Sequence, residues 1–156
     1  MGFTLTVSYS NSTGVHYVRY TDEEIEVPEP ETPGVVNLAY GSNYECSSAP
    51  NSSYPDEDYR SLTDGVTGEG TIYEEAWSGW AAEINPVSIT VDLGSLQSFD
   101  KISVTSMEGE GGVTYPEYLI FEVSDDGKNF DEVHTGTIPD NAPSPGKYEY
   151  VYKSDA

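Results

Sequence analysis

The chain has 156 residues, of which 28 are acidic and six are basic, giving a formal net charge of −22. A surface this negative repels nucleic acid and anionic membranes, so neither is an expected partner. The chain is 12% aromatic, with 13 tyrosines, which indicates a folded domain rather than a disordered acidic tail. No stretch approaches the roughly 18 apolar residues of a membrane-spanning helix, and insertion into a membrane is not expected. Cys46 has no second cysteine with which to form a disulfide.

Short segments of alternating apolar and polar residues begin at the N-terminus. FTLTVSY (3–9) and VHYVRY (15–20) flank the polar stretch SNSTG and predict a hairpin. The proline-rich stretch EVPEPETPG (26–34) then predicts an extended connection, because proline removes backbone donors and favours polyproline geometry. The clearest alternation is VSITVDLG (87–94), where Val87, Ile89, Val91 and Leu93 share one face and Gly94 marks a turn.

The second half of the chain continues this pattern. Further strands are predicted in FDKISVTS (99–106), YLIFEVS (118–124) and KYEYVY (147–152), and Asp126-Gly127 predicts a hairpin that leads into KNFDEV. No segment keeps a helical period over three turns. With 15 glycines and 10 prolines between many short strands, the sequence predicts an all-β sandwich or barrel.

Five short motifs occur in a fixed order along the chain. They are NLAYG (37–41), LTDG (62–65), WSGW (77–80), ITVDLG (89–94) and FEVSDDGKNF (121–130). Together they resemble the coagulation factor 5/8 type C family, also called discoidin or galactose-binding-like domains. The resemblance covers residues 35–134 and extends to bacterial family 32 carbohydrate-binding modules. It implies a jelly-roll β-sandwich without catalytic activity, usually one module of a larger secreted or cell-surface protein.

The chain departs from the family pattern at both ends. It lacks the terminal cysteine pair of many animal members, and segment 15–27 resembles the family's last strands although it lies at the N-terminus. Residues 1–27 are therefore interpreted as C-terminal-type strands, 28–34 as a linker and 35–156 as the main body. The N-terminal strands either close the same sandwich, as in a circular permutation or a swap between chains, or are the tail of a preceding copy in a tandem array. Closure is favoured because an open sandwich exposes unpaired strand edges.

The resemblance implies a structural calcium ion, which binds carboxylate and carbonyl oxygens. The matching positions are Asp64 of the LTDG motif and Glu24, with Glu23 if the register shifts by one residue. Thr67 and Ser61 are further candidates for oxygen ligands. The alternative is that Asp64 only shapes a turn through its side chain.

The resemblance also implies a glycan-binding surface on the loops at one end of the sandwich. Sugars bind to an aromatic platform beside a few polar groups. The candidates are Trp80 or Tyr115 as platform, Arg60 and Glu108 as hydrogen-bonding partners, and Tyr54 on the rim.

Several of these candidates have structural alternatives. Trp77 is expected in the core, whereas Trp80 could lie in the core or on the surface. Arg60 could instead pair with Asp56 or Asp58. No motif for nucleophilic or metal catalysis occurs, so an enzyme is not expected.

The function expected from the sequence is a carbohydrate-binding module of an extracellular or cell-surface bacterial protein, with a glycan and the neighbouring modules as partners. The alternative is a structural or adhesive spacer in a tandem array, for which a buried Trp80 would be the marker.

Overall fold

The computed structural model describes the backbone of residues 2–8 and 15–20 and all of residues 35–154. This part of the chain forms strands and no helix, which confirms the all-β prediction. The strands are β1 (Gly2–Ser8), β2 (Val15–Tyr20), β3 (Tyr44–Cys46), β4 (Gly79–Ala81), β5 (Val87–Asp92), β6 (Lys101–Glu108), β7 (Val113–Thr114), β8 (Tyr118–Ser124), β9 (Asp131–Thr137) and β10 (Gly146–Lys153).

The strands form two five-stranded sheets. The first sheet has the order β3-β5-β1-β8-β9, and the second has the order β10-β6-β2-β4 with β7 paired to β2. Every pairing is antiparallel except that of β2 with β7. Their apolar side chains meet in a shared core between them, as in a β-sandwich.

The two N-terminal strands lie within this sandwich but in opposite sheets. Strand β1 is the central strand of the first sheet and pairs with β5 on one edge and β8 on the other. Strand β2 pairs with β4, β6 and β7 in the second sheet. The predicted hairpin of residues 3–9 and 15–20 is therefore wrong. Because both edges of β1 are already occupied, no edge remains to which β2 could hydrogen-bond.

The predicted hairpin at Asp126-Gly127 is confirmed, since β8 and β9 pair in antiparallel register on either side of it. Gly127 has a φ of +69°, a region that glycine enters without steric cost. The carboxylate of Asp126 accepts hydrogen bonds from the backbone N–H groups of Lys128 and Asn129, both at 2.8 Å. These bonds hold the pKa of Asp126 well below its ordinary value.

The alternation read in the sequence matches the burial in the fold. Val87, Ile89 and Val91 of β5 face the core, which also contains Leu119 and Phe121 of β8. Each such side chain contributes about 1.5–3 kcal/mol when fully buried.

A second apolar cluster lies on the outer face of the second sheet. On β6, Val104 belongs to the main core and Met107 to this second cluster. Side chains three positions apart on a strand point to opposite faces, so β6 is buried on both sides. The second cluster consists of Ile72, Trp77, Met107 and Val113, with Tyr54 packed against it.

Candidate functional site

The segment of residues 68–77 contributes Ile72 and Trp77 to the second cluster and is held there by close contacts. Ile72 lies against Gly109, where an added β-carbon would come within 2.5 Å of its Cγ2 atom. The indole of Trp77 lies directly on Gly68, and the ammonium of Lys147 donates a hydrogen bond of 2.8 Å to the Gly68 carbonyl. These close contacts fix where the segment crosses the outer face of the second sheet.

The carboxylate of Glu74 shapes the turn within this segment. Glu74 accepts hydrogen bonds from the backbone N–H groups of Glu69 at 2.6 Å and of Gly70 and Thr71 at 2.9 Å each. The bond from Thr71 contributes most to lowering the pKa of Glu74, followed by those from Glu69 and Gly70. This turn holds Tyr73 on the surface, where its side chain is 73% exposed.

Tyr73 is the exposed aromatic residue of this surface, and the sequence analysis did not single it out. Its neighbours Ile72 and Trp77 are both buried. The segment is not a strand, so no period-2 alternation marks which of its aromatic residues points outward. The sequence feature that could have indicated Tyr73 was a tyrosine beside a carboxylate in a glycine-rich turn, and this feature is weak evidence by itself.

The two aromatic residues predicted as sugar platforms are buried. Trp80 has 0% exposure, lies in the main core, and donates from its indole N–H to the Ser48 carbonyl at 2.9 Å. Tyr115 is 8% exposed, and its hydroxyl donates to the Pro143 carbonyl. Burial, followed by the nearby charge of Glu108, raises the pKa of Tyr115 to about 12. Neither ring can offer a face to a sugar, so this part of the prediction is wrong. The predicted burial of Trp77 is confirmed.

Two other predicted residues lie near the segment that carries Tyr73. Tyr54 is half-buried and packs against the second cluster. Glu108 is half-buried at the end of β6 beside Gly109, and its carboxylate accepts a hydrogen bond from the Ser144 hydroxyl. The structure therefore brings Tyr54 and the unpredicted Tyr73 to the same outer surface, whereas Glu108 lies on the opposite face of β6 from Met107.

Arg60 lies on a different turn, which is organised by the buried carboxylate of Asp56. That carboxylate accepts hydrogen bonds from the Tyr44 hydroxyl, from the Arg60 backbone N–H at 3.1 Å, and from the backbone N–H and hydroxyl of Ser61. Tyr59 has a φ of +50°, which is unusual for a residue other than glycine. The Arg60 side chain is exposed and forms no ion pair with Asp56 or Asp58 in the described structure.

The described residues do not by themselves provide a ligand set for calcium. Asp64 is exposed, and its Oδ1 atom accepts a 2.8 Å hydrogen bond from the Val66 N–H, as expected of a turn. The Ser61 hydroxyl donates to Asp56, and Thr67 is half-buried. Glu24, with its alternative Glu23, lies outside the described residues. Within residues 35–154 no three histidine, cysteine or acidic side chains are grouped as metal ligands would be.

Two groups that could be reactive have packing roles. The ring of His134 lies between Phe121 and Tyr152, with centroid distances of 5.9 Å to each. Burial raises the pKa of the Cys46 thiol to about 12, so it carries almost no thiolate at neutral pH. Among the residues whose placement is described, no helix is long and apolar enough to span a bilayer.

A comparison with protein families agrees with this architecture. The family model for the F5/8 type C domain matches residues 43–153, which is more than half of the chain. Searches against curated proteins and against solved structures gave no match. The two-sheet sandwich and the family match together show that the chain belongs to the F5/8 type C family and has its jelly-roll β-sandwich fold.

Proposed function

We propose that the chain is a non-catalytic glycan-binding module of an extracellular or cell-surface bacterial protein. Domains of its family serve as binding modules within larger proteins and commonly bind glycans or lipids. The net charge of −22 disfavours anionic lipid surfaces and leaves glycans as the better ligand class. The observation that carries the proposal is the 73% exposed ring of Tyr73 on an anchored segment.

The surface around Tyr73 has the elements that sugar recognition requires. A tyrosine ring can stack on the apolar C–H face of a sugar, while its hydroxyl remains free to hydrogen-bond. Glu75, exposed on the same segment, provides a carboxylate acceptor for sugar hydroxyl groups. Because Ile72 and Trp77 already fix the segment, binding does not have to order it, and less conformational entropy is lost.

Such a module acts by tethering. Binding a glycan holds the neighbouring modules of the same protein close to that glycan, which raises their local concentration without any new chemistry. The proposed role therefore requires neither an active site nor tight affinity.

The test compares two tyrosines that are equally exposed in different places. Tyr73 is 73% exposed and Tyr40 is 69% exposed on the turn beside Gly65. Glycan-array screening should identify a ligand, and calorimetry should then show that Tyr73→Ala weakens its binding about two- to twelvefold, since an aromatic contact contributes about 0.5–1.5 kcal/mol. Tyr40→Ala should leave binding unchanged. Absence of any bound glycan, or equal binding by the two variants, would refute the proposal.

We further propose a structural calcium ion at Asp64, completed by Glu24. A ligand bound only by the folded state stabilises that state by mass action. Chelator should therefore lower the melting temperature of the wild-type chain, whereas Asp64→Ala should melt at the same temperature with and without chelator. An unchanged wild-type melting curve in excess chelator would contradict the proposed calcium site.

The spacer function remains the alternative, and the burial of Trp80 favours it. Exposed apolar side chains near the start of the main body offer contacts for a neighbouring module. They belong to Val35, Val36, Tyr40 and Val66. If the chain is a spacer, two copies joined in tandem should melt at a higher temperature than one copy, and Val36→Ser in both copies should remove the difference. Equal melting of the single and tandem chains would contradict a packed array.

A further inference from the structure

The two N-terminal strands fill a gap one strand wide in each sheet. Strand β1 pairs along its length with β5 on one side and with β8 on the other. Strand β2 lies between β4 and β6 in the second sheet. Without β1 and β2, the strands on both sides of each gap would present unpaired N–H and C=O groups beside an open core. The rest of the sandwich is therefore an acceptor that recognises two strands through their backbones.

The family match divides the chain at the same place. It begins at residue 43, after both N-terminal strands, and it covers β3 to β10. The strands that complete the centre of the first sheet and the interior of the second therefore come from outside the matched part. An element that is separate in the chain but central in the fold is the kind that identical chains can exchange.

The chain leaves β2 and enters β3 at the same end of the sandwich. Tyr20, the last residue of β2, pairs with Val104 near the start of β6. In the first sheet, Tyr44 at the start of β3 pairs with Val91 near the end of β5. Residues 93–100 connect the end of β5 to the start of β6, so these positions lie together at one end.

The connection of residues 21–34 is longer than this return requires. Sheets in a sandwich lie about 10 Å apart and neighbouring strands about 4.8 Å apart, so β2 and β3 are separated by roughly 15 Å. Fourteen residues span about 45 Å when they are extended. Six of these residues are acidic and three are prolines, a composition that favours extension. Such a connection is long enough to carry the two strands to a second copy of the chain.

Exchange between copies keeps the contacts of the closed chain. The strands of a second copy are identical, so the same pairings form and only the course of the connection differs. Because the connection begins and ends at one end of the sandwich, two copies that face each other at this end can exchange reciprocally. Reciprocal exchange gives a closed dimer with two-fold symmetry. The net charge of −22 on each copy opposes the approach, and salt screens this repulsion.

We propose that β1 and β2 are exchanged between two copies of the chain, so that the N-terminal strands of each copy complete the sandwich of the other. The partner is a second copy, and it is received in the grooves between β5 and β8 and between β4 and β6. The inference goes beyond the proposed function and does not depend on it, because neither groove is a ligand surface.

Cysteine cross-linking between two different copies tests the exchange. Thr4 of β1 lies directly opposite Glu122 of β8, at a Cα separation that a disulfide can bridge. Each substitution is made in a Cys46→Ala chain, which has no other thiol. The Thr4→Cys and Glu122→Cys chains are unfolded in urea, mixed, refolded together at high protein concentration in high salt, and oxidised. A disulfide-linked dimer that contains one chain of each kind should form.

Two controls separate exchange from random contact. In the first, Glu45→Cys takes the place of Glu122→Cys. Glu45 of β3 lies in the same row as Thr4, but Thr90 of β5 lies between them. The two positions are therefore about 10 Å apart, beyond the reach of a disulfide, and the yield of mixed dimer should be several-fold lower. In the second control, one chain that carries both Thr4→Cys and Glu122→Cys is refolded in dilute solution and should form an internal disulfide.

Light scattering on the chain with its own sequence provides an independent measurement. After refolding at high concentration, the share of dimer should increase from low to high salt. Replacing Pro28, Pro30 and Pro33 with glycine should lower this share several-fold, because a flexible connection folds back on its own sandwich more readily.

Each measurement has an outcome that would overturn the inference. Equal yields of mixed dimer with Glu122→Cys and Glu45→Cys would show that β1 of one copy does not enter the groove of the other. Absence of the internal disulfide would show that β1 does not lie beside β8, and the acceptor groove would then be lost. A chain that stays monomeric at every salt concentration, or a dimer share that the glycine substitutions leave unchanged, would also overturn it.

Discussion

Replacing Asp56 with alanine is expected to destabilise the fold strongly, although the residue lies in a loop. Its carboxylate is only 4% exposed and accepts four hydrogen bonds from three residues, one of them from the buried hydroxyl of Tyr44. The Tyr44 hydroxyl in turn accepts a 3.3 Å hydrogen bond from the backbone N–H of buried Leu62. Asp56 therefore ties the turn at residues 56–61 to the first residue of β3.

The magnitude follows from counting the groups that lose a partner. Leaving the buried Tyr44 hydroxyl without its acceptor costs about 1–3 kcal/mol, and the less buried N–H groups of Arg60 and Ser61 add about 0.5–1 kcal/mol each. We expect Asp56→Ala to lower the free energy of unfolding by about 3–4 kcal/mol. Tyr44→Phe should lower it by about 2–3 kcal/mol, because it leaves both a carboxylate oxygen and the Leu62 N–H without a partner.

Urea unfolding of the two single variants and the double variant forms a double-mutant cycle. The two losses overlap, so the double variant should be less destabilised than their sum by about 1.5 kcal/mol or more. Ser53→Ala, an exposed change on the same loop, provides the control and should have little effect. Additive losses, with a coupling energy below about 0.5 kcal/mol, would refute the reasoning that Asp56 and Tyr44 act as one unit.

Three further predictions concern packing, reactivity and charge. Gly109→Ala should destabilise the fold by about 1–3 kcal/mol in urea unfolding, because its β-carbon would meet Ile72. Gly70→Ala should have no such effect, because its added β-carbon meets open space. Equal effects of the two substitutions would contradict the packing of Ile72 on Gly109. Native Cys46 should react with a thiol reagent about a thousandfold more slowly at pH 8 than the unfolded chain does, since burial raises its pKa from 9.0 to about 12. Comparable reaction rates of the native and the unfolded chain would contradict the burial of Cys46. Because folding keeps this thiol protonated, its contribution to stability is complete below about pH 9 and is lost as the pH rises toward 12. The melting temperature should rise between low and high NaCl, because salt screens the self-repulsion of a net charge of −22, and a flat or falling curve would contradict this.

Local chemistry made part of the fold predictable. The alternation in Val87, Ile89 and Val91 defines a face of a strand, and side chains on such a face are either all inside or all outside. The Asp126-Gly127 hairpin depends on residues that are adjacent in the chain, and its backbone conformation follows from them. These features involve contacts within a few residues, so the sequence carries their full signal.

The candidate site was predictable only in part. The sequence indicated Tyr54 on the rim of a binding surface, but it placed the aromatic platform at Trp80 or Tyr115, both of which are buried. Burial of Trp80 depends on the opposite sheet and on the Ser48 carbonyl, 32 positions away in the chain. The residues of the WSGW motif alone do not predict a hydrogen bond between Trp80 and a residue so far away in the chain.

The sequence by itself determined that this chain is a β protein of the F5/8 type C family, because strand period, turn residues and motif order are all local properties. Only the tertiary structure decided that β1 and β2 lie in opposite sheets, and that Tyr73 is exposed while Trp80 is buried. Strand alternation distinguishes two faces but does not say which sheet a strand joins or what covers its faces. Those outcomes depend on which distant edges and apolar surfaces are left to pair, and they are settled when the whole chain packs.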